Sequence, residues 1–248
     1  MRAQRSLAVN GHTSLRRGLH GRVVDDLGRR IVGGEWERGA QLPNEDDLAS
    51  ELGVSRTVVR EAVKVLQAKG LVEVRPKTGT RVRSRRSWHL LDADIVSWQF
   101  ADILRGEDLR ELYELRATVE IAAARLAAER CTTEQLAEID AHRRRIESAA
   151  EEPLAFRAAE LDFHAAIVEA AHNSLLSHVG AVIRVALETV AEPVVADHGG
   201  NGRALSLRAA LTTAIRVGDA SGSEAAMRSL VDLAWQRSVP DNRKSGDE

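Results

Sequence analysis

Between residues 42 and 83 the spacing of apolar side chains switches from helical to alternating, and the switch divides this stretch into distinct elements. Asn44 is a good N-cap for a short helix over 45–52, and Gly53 supplies the left-handed backbone that a sharp turn needs. A second helix starts at Ser55. Its apolar residues Val59, Ala62, Val63 and Leu66 recur at helical spacing, while Arg56, Arg60, Lys64 and Gln67 fall on the opposite stripe. Gly70 ends that helix. Strands are predicted at 71–74 and 80–83, joined by a turn of Arg75, Pro76, Lys77, Thr78 and Gly79. The order is a helix-turn-helix followed by a basic two-stranded wing.

Beyond residue 87 the pattern is helical with almost no strand signal. Helices are predicted at 92–104, 109–130, 133–149, 154–171, 174–191, 203–217 and 223–237. Gly106 separates the first two, Thr132 with Gln135 makes a capping box, Pro153 opens the fourth and Asn173 interrupts before the fifth. Glu192 and Pro193 stop the fifth, a glycine-rich loop at 198–202 follows, and Gly218 closes the sixth. The fold class is therefore mainly α: an N-terminal winged helix-turn-helix over 16–86 and a C-terminal all-α antiparallel helical bundle over 87–238, long enough to enclose a core and a pocket. The polar ends, 1–15 and 239–248, are expected to be disordered.

Charge sharpens this picture. Residues 1–86 hold 18 Lys and Arg against 10 Asp and Glu, a balance of +8; the whole chain holds 35 against 37, so residues 87–248 carry −10. A basic head on an acidic body is expected when one domain meets phosphate and the other does not. The second helix of a helix-turn-helix enters the major groove N-terminus first, which makes Arg56, Thr57 and Arg60 the side chains that reach base edges, flanked by Ser55 and Lys64. Arginine suits guanine because its planar fork donates two hydrogen bonds to O6 and N7. Arg75, Lys77, Gly79 and Arg81 in the wing are placed to meet phosphates or a narrow minor groove.

The segment 31–82 resembles the winged-helix domain of the GntR family of bacterial transcription regulators. The likeness is carried by Leu42, Pro43, Glu45, Leu48 and Ala49, by the run from Gly53 to Ala62, and by Gly70, Leu71 and Val72. Two positions depart from the family pattern: Asp46 stands where many relatives carry arginine, and Lys77 where glycine is common at the wing tip. The segments 109–130, 160–176 and 214–227 resemble the all-helical FCD effector-binding domain of the FadR subfamily.

That second resemblance implies a homodimer and a small-molecule effector. It implies that Arg116, one helical turn from Glu120, holds an effector carboxylate; Glu160, His164, Asn173 and Arg208 are the other effector-binding candidates. Many such domains bind a divalent metal through a carboxylate four residues before a histidine and two further histidines. Here Glu160 and His164 supply the first pair, but Arg208 and Leu230 stand at the later positions. Two ligands are too few for zinc or nickel, so no metal and no other cofactor is expected; a weak site completed by His198 or a water is the alternative that stays open.

Other classes are disfavoured. No G-x-S-x-G, H-E-x-x-H or phosphate-loop motif occurs, which argues against an enzyme. Single Cys131 argues for a reducing compartment, Arg184 breaks the best apolar stretch, and no signal peptide is present, so the expected location is the cytoplasm. Trp36, Trp88, Trp98 and Trp235 are scattered as core anchors rather than aligned as a stacking platform. The expectation is a homodimeric repressor that binds a short palindromic DNA operator and is released by a small carboxylate. The segment 88–98 is similar to one in FCD regulators responding to sugar acids. An acyl-CoA effector and an architectural DNA binder with no effector are the alternatives that stay open.

Overall fold

A computed structural model describes residues 18–75, 78–101, 106–190 and 202–238. The expectations for Pro76, Lys77, His198, most of the glycine-rich loop and the two tails lie outside these residues. The chain divides into two compact units, Met1–Asp102 and Ile103–Glu248.

In the first unit, α1 (Leu19–Val32) precedes α2 (Glu45–Leu52) and α3 (Arg56–Ala68), followed by β1 (Val72–Arg75), β2 (Gly79–Val82), a single 3-10 turn (Arg85–Ser87) and α4 (Ala93–Ala101). The helix-turn-helix forms as its caps dictate. Asn44 Oδ1 accepts from the amides of Asp46 and Asp47 at 2.9 Å, Gly53 takes φ 63° in the turn, and Ser55 caps α3 through the Val58 amide. The strands are antiparallel with Val72 opposite Val82, one residue out of step with the predicted bounds at each strand. Val59, Ala62, Val63 and Leu66 of α3 are buried with Leu27, Ile31, Leu48, Leu71 and Val82 in one core.

No element was expected over 19–32, yet Val23, Val24, Leu27 and Ile31 of α1 are all buried on one face. Glycine inside this helix weakens the local signal by about 1 kcal/mol relative to alanine, and the tertiary structure shows why Gly28 is there. The Trp98 ring of α4 lies so close that a Cβ on Gly28 would fall 2.5–2.6 Å from three of its carbons. Trp98 Nε1 donates to Asp25 Oδ1 at 2.7 Å, so the indole is held at both its flat face and its polar edge. Lys69 Nζ bonds Asp92 at 2.8 Å and Asp94 at 3.0 Å, and the His89 amide donates to the Lys69 carbonyl. Segment 88–101, grouped from sequence with the helical half, therefore packs on the winged helix.

The second unit contains α5 (Gly106–Arg130), α6 (Thr133–Ser148), α7 (Pro153–Ala170), α8 (Ser174–Thr189), α9 (Gly202–Val217) and α10 (Ala220–Ser238). Consecutive helices from α5 to α8 are joined by short turns. The long α5 is central: α7, α8, α9 and α10 all pack on it, and α6 packs on α7 and α9. Phe163, Ile167, Ile139, Ile146, Leu211 and Met227 are fully buried, supplying about 1.5–3 kcal/mol each on the scale of apolar transfer. Thr132 and Gln135 form the expected capping box. α5 starts at Gly106, the residue read as separating two helices, three positions before the predicted 109, and α10 also begins three residues early because Asp219 accepts from the Gly222 amide at 2.9 Å. Among the described residues no helix is long and apolar enough to cross a membrane.

The Gly28 contact is testable. Gly28→Ala should gain helix propensity but lose about 1–3 kcal/mol through the forced displacement of Trp98, a net destabilisation. Denaturant unfolding followed by tryptophan fluorescence measures it, and an unchanged or higher midpoint would refute the close approach.

Candidate DNA interface and buried ion cluster

The outer stripe of α3 presents the residues that its sequence pattern singled out. Arg56, Thr57, Arg60, Lys64 and Gln67 are exposed, while Ser55 spends its hydroxyl on the helix cap. The cations differ in their surroundings. Arg56 Nε donates to Glu45 Oε2 and its Nη1 to Asp46 Oδ2, both at 3.1 Å, and these two carboxylates raise the guanidinium pKa. Lys64 pairs with Glu61 at 2.8 Å, and Arg75 with Glu73 at 2.8 Å. Arg60 has no ion-pair partner among the described residues. A single solvated pair such as those of Lys64 and Arg75 is weak, about 0–1 kcal/mol, so a phosphate can displace it; Arg56 is held by two carboxylates at once. Gly79 begins β2 at the exposed end of the hairpin, and Arg81 Nη1 donates to the Gly39 carbonyl at 3.1 Å. Lys77 lies outside the described residues.

The second unit holds its charges in the interior. Arg116, Glu120, His164 and Arg208 are all buried. Arg116 Nε donates to Glu120 Oε1 at 2.9 Å, and His164 Nδ1 lies 2.7 Å from Glu120 Oε2. A carboxylate only accepts, so His164 Nδ1 carries the proton and Nε2 accepts from Arg116 Nη2 at 3.3 Å. Burial pushes the Glu120 carboxyl up, but Arg116 and His164 outweigh it and bring it down to about 2. The α5 pair expected from sequence is thus the centre of a triad that reaches α7.

One turn before His164, Glu160 meets a different cation: Arg208 Nη2 of α9 donates to its Oε1. The Arg208 guanidinium also lies 5.7 Å from the Phe156 ring centroid. Its Nε is buried with no partner, and so is Nη2 of Arg237 on α10. Burial first, then the charges of Arg237 and Arg116, push the Arg208 pKa down to about 10, which still leaves a cation at neutral pH. Arg237 had no signal in the sequence, because nothing in a helical pattern distinguishes an arginine turned inward near a chain end from a solvated one. In the same stretch of α10, the Trp235 ring lies 5.4 Å from that of Tyr113 at a tilt of 55°, and the Tyr113 hydroxyl meets Ser238 Oγ at 2.6 Å.

Asn173 is placed elsewhere. Its Oδ1 accepts from the amides of Leu175 and Leu176, making it the N-cap of α8. A divalent metal does not fit these residues: the Glu160 carboxylate is occupied by a guanidinium, His164 is engaged at both nitrogens, and Leu230 is a buried apolar side chain. No group of three or more His, Cys, Asp or Glu side chains suited to a metal occurs among the described residues.

A winged helix-turn-helix with an exposed basic stripe, followed by a helical unit with charged groups in its interior, defines a DNA-binding regulator with a ligand-sensing domain. Comparison with known proteins gives the family. Residues 19–82 match "Bacterial regulatory proteins, gntR family" and residues 111–233 match the FCD domain. The chain is 31% identical over 217 residues to the galactonate operon transcriptional repressor of Escherichia coli K12, covering 87% of this chain and 95% of that one. It is 33% identical over 220 residues to the transcriptional regulator Mce2R of Mycobacterium tuberculosis, covering 88% and 91%. A solved structure described as "Lar controls the expression of the Listeria monocytogenes agr system and mediates virulence" shares the fold, with TM-score 0.55 and 18% identity over 89% of this chain and 96% of that one. The protein belongs to the GntR family of DNA-binding transcription regulators and carries an FCD effector domain. Its relatives are regulators and not enzymes.

The low pKa of Glu120 ties stability to acid. The carboxyl titrates near 4.5 when unfolded and near 2 when folded, so its contribution is complete above about pH 5 and is lost as pH falls toward 2. Glu120→Gln should be destabilised at pH 7 and show a flatter stability profile between pH 5 and pH 2; urea unfolding across that range checks it, and parallel profiles would exclude the assignment.

Proposed function

We propose that this protein is a homodimeric repressor that binds a short inverted repeat and is released by a small carboxylate, with a sugar acid the leading candidate. On DNA, Arg56, Thr57 and Arg60 read base edges, Ser55 fixes the start of the reading helix, and Lys64, Arg75, Lys77 and Gly79 approach the phosphates. The observation that carries the effector reading is the excess of inward positive charge: buried Arg116 and Arg208 and half-buried Arg237 against the carboxylates of Glu120 and Glu160, with orphan buried N–H groups on Arg208 and Arg237. Unpaired buried donors of positive charge are costly, and an entering carboxylate relieves that cost with charge-assisted hydrogen bonds.

In this reading Arg208 is the first receiver of the anion, with Arg116 and His164 in the same cluster, Arg116 held in place by Glu120. The guanidinium of Arg208 takes the role that a metal ion would otherwise fill. A relative whose name includes a galactonate operon supports a sugar acid, whose hydroxyls also suit the polar groups of the cluster. Binding acts by favouring a state of the protein with lower operator affinity.

Two measurements test the proposal. A duplex selected by the protein from a randomised pool serves as operator. Arg60→Ala should weaken binding by about 1–3 kcal/mol and relax preference at one position of each half-site; unchanged binding at the same salt would refute the reading helix. Arg208→Ala should bind that duplex normally yet fail to release it when aldonic acids such as galactonate and gluconate are added; release at the parental concentration would refute the anion seat. Glu160 is partly exposed, so Arg208→Ala does not strand a fully buried carboxylate.

A further inference from the structure

We propose that Asp46 is a positioning residue for DNA recognition: together with Glu45 it braces Arg56 so that the remaining N–H groups of the guanidinium meet a guanine as a fixed pair. The inference rests on the reading of α3 as the recognition helix. The contact joins two elements of the helix-turn-helix. Asp46 and Glu45 lie in the first turn of α2, Arg56 is the first residue of α3, and the turn between them is fixed by the left-handed Gly53. Both carboxylates hold the same guanidinium at 3.1 Å, through different nitrogens.

An arginine has five N–H donors in one plane. Nε–H is taken by Glu45 and one Nη1–H by Asp46, which leaves the second Nη1–H and both Nη2–H groups without a partner among the described residues. Those are enough for a bidentate contact with O6 and N7. An unbraced arginine at this exposed position samples many rotamers and loses that freedom on binding DNA; two carboxylates restrict it beforehand. In water the brace is worth little, but at a protein–DNA interface water is displaced and the same charges interact more strongly.

The alternative is that Asp46 only repels phosphate. The two roles differ in what they do to specificity. A purely repulsive carboxylate weakens all duplexes alike, and removing it strengthens specific and non-specific binding by the same factor. A brace, when removed, strengthens non-specific binding while discrimination declines. Asp46 is largely exposed, so Asp46→Asn preserves the fold and nearly the same shape.

The test uses the full-length protein, a duplex selected by the parent from a randomised pool, and a scrambled duplex of the same length. Guanines in the selected duplex are replaced one at a time by 7-deazaguanine, which lacks the N7 acceptor. The guanine whose replacement costs the parent about five- to tenfold, but costs Arg56→Ala nothing further, is the one Arg56 reads. At that guanine the penalty in Asp46→Asn is expected to fall to about twofold, with the ratio of selected to scrambled affinity dropping about fivefold. A full penalty in Asp46→Asn, with both duplexes bound more tightly by one factor, overturns the brace while Arg56 still reads DNA. If no guanine couples to Arg56, the recognition-helix reading fails and the brace falls with it.

Discussion

Arg116 and Glu120, one turn apart on α5, are locked to His164 of α7 in a space closed to water, and the chemistry of the helical unit depends on that contact. A charge can stay in such a place only if it is paired and hydrogen-bonded. Glu120 meets this condition on both oxygens, which is why its proton is held so weakly. Arg208 meets it only in part: Glu160 answers one nitrogen and Nε is unanswered. The difference between a satisfied and an unsatisfied cation separates a structural triad from a place where a further anion is favourable.

The winged helix handles charge in the opposite way. Its cations lie at the surface: Lys64 and Arg75 are each matched by one carboxylate in a weak, replaceable pair, and Arg56 is held by two. Surface pairing leaves the domain basic overall while setting where each guanidinium or ammonium group rests before DNA arrives. The scaffold is apolar: the inner stripe of α3 fixes the angle of the outer one, and Trp98 against Gly28 fastens α4 to the same core. One domain thus offers charge to a large anionic surface, and the other hides it for a small ligand.

Much of this was legible in the residues. Asn44, Gly53 and Ser55 announced the helix-turn-helix because caps and left-handed turns act over three or four residues, and Thr132 with Gln135 announced α6 for the same reason. The α3 stripe followed from a period of 3.6. Helix α1 did not, since Gly21 and Gly28 dilute a helical pattern and only contact with Trp98 explains the second of them. Asn173, carried with the effector residues by resemblance, is instead occupied with capping α8.

What the sequence by itself determined is what local chemistry decides: which segments are helix or strand, where they start, which face is apolar, and that a basic head precedes an acidic body. The i,i+4 pairing of Arg116 with Glu120 belongs to the same class. Which distant charges meet was decided only by the tertiary structure. His164 with Glu120, Arg208 with Glu160, the inward turn of Arg237 and the grip of Asp46 on Arg56 join residues 10 to 48 positions apart or helices at opposite ends of the unit. No periodicity encodes such meetings, because they depend on how whole helices pack and on which polar groups the packing leaves without water.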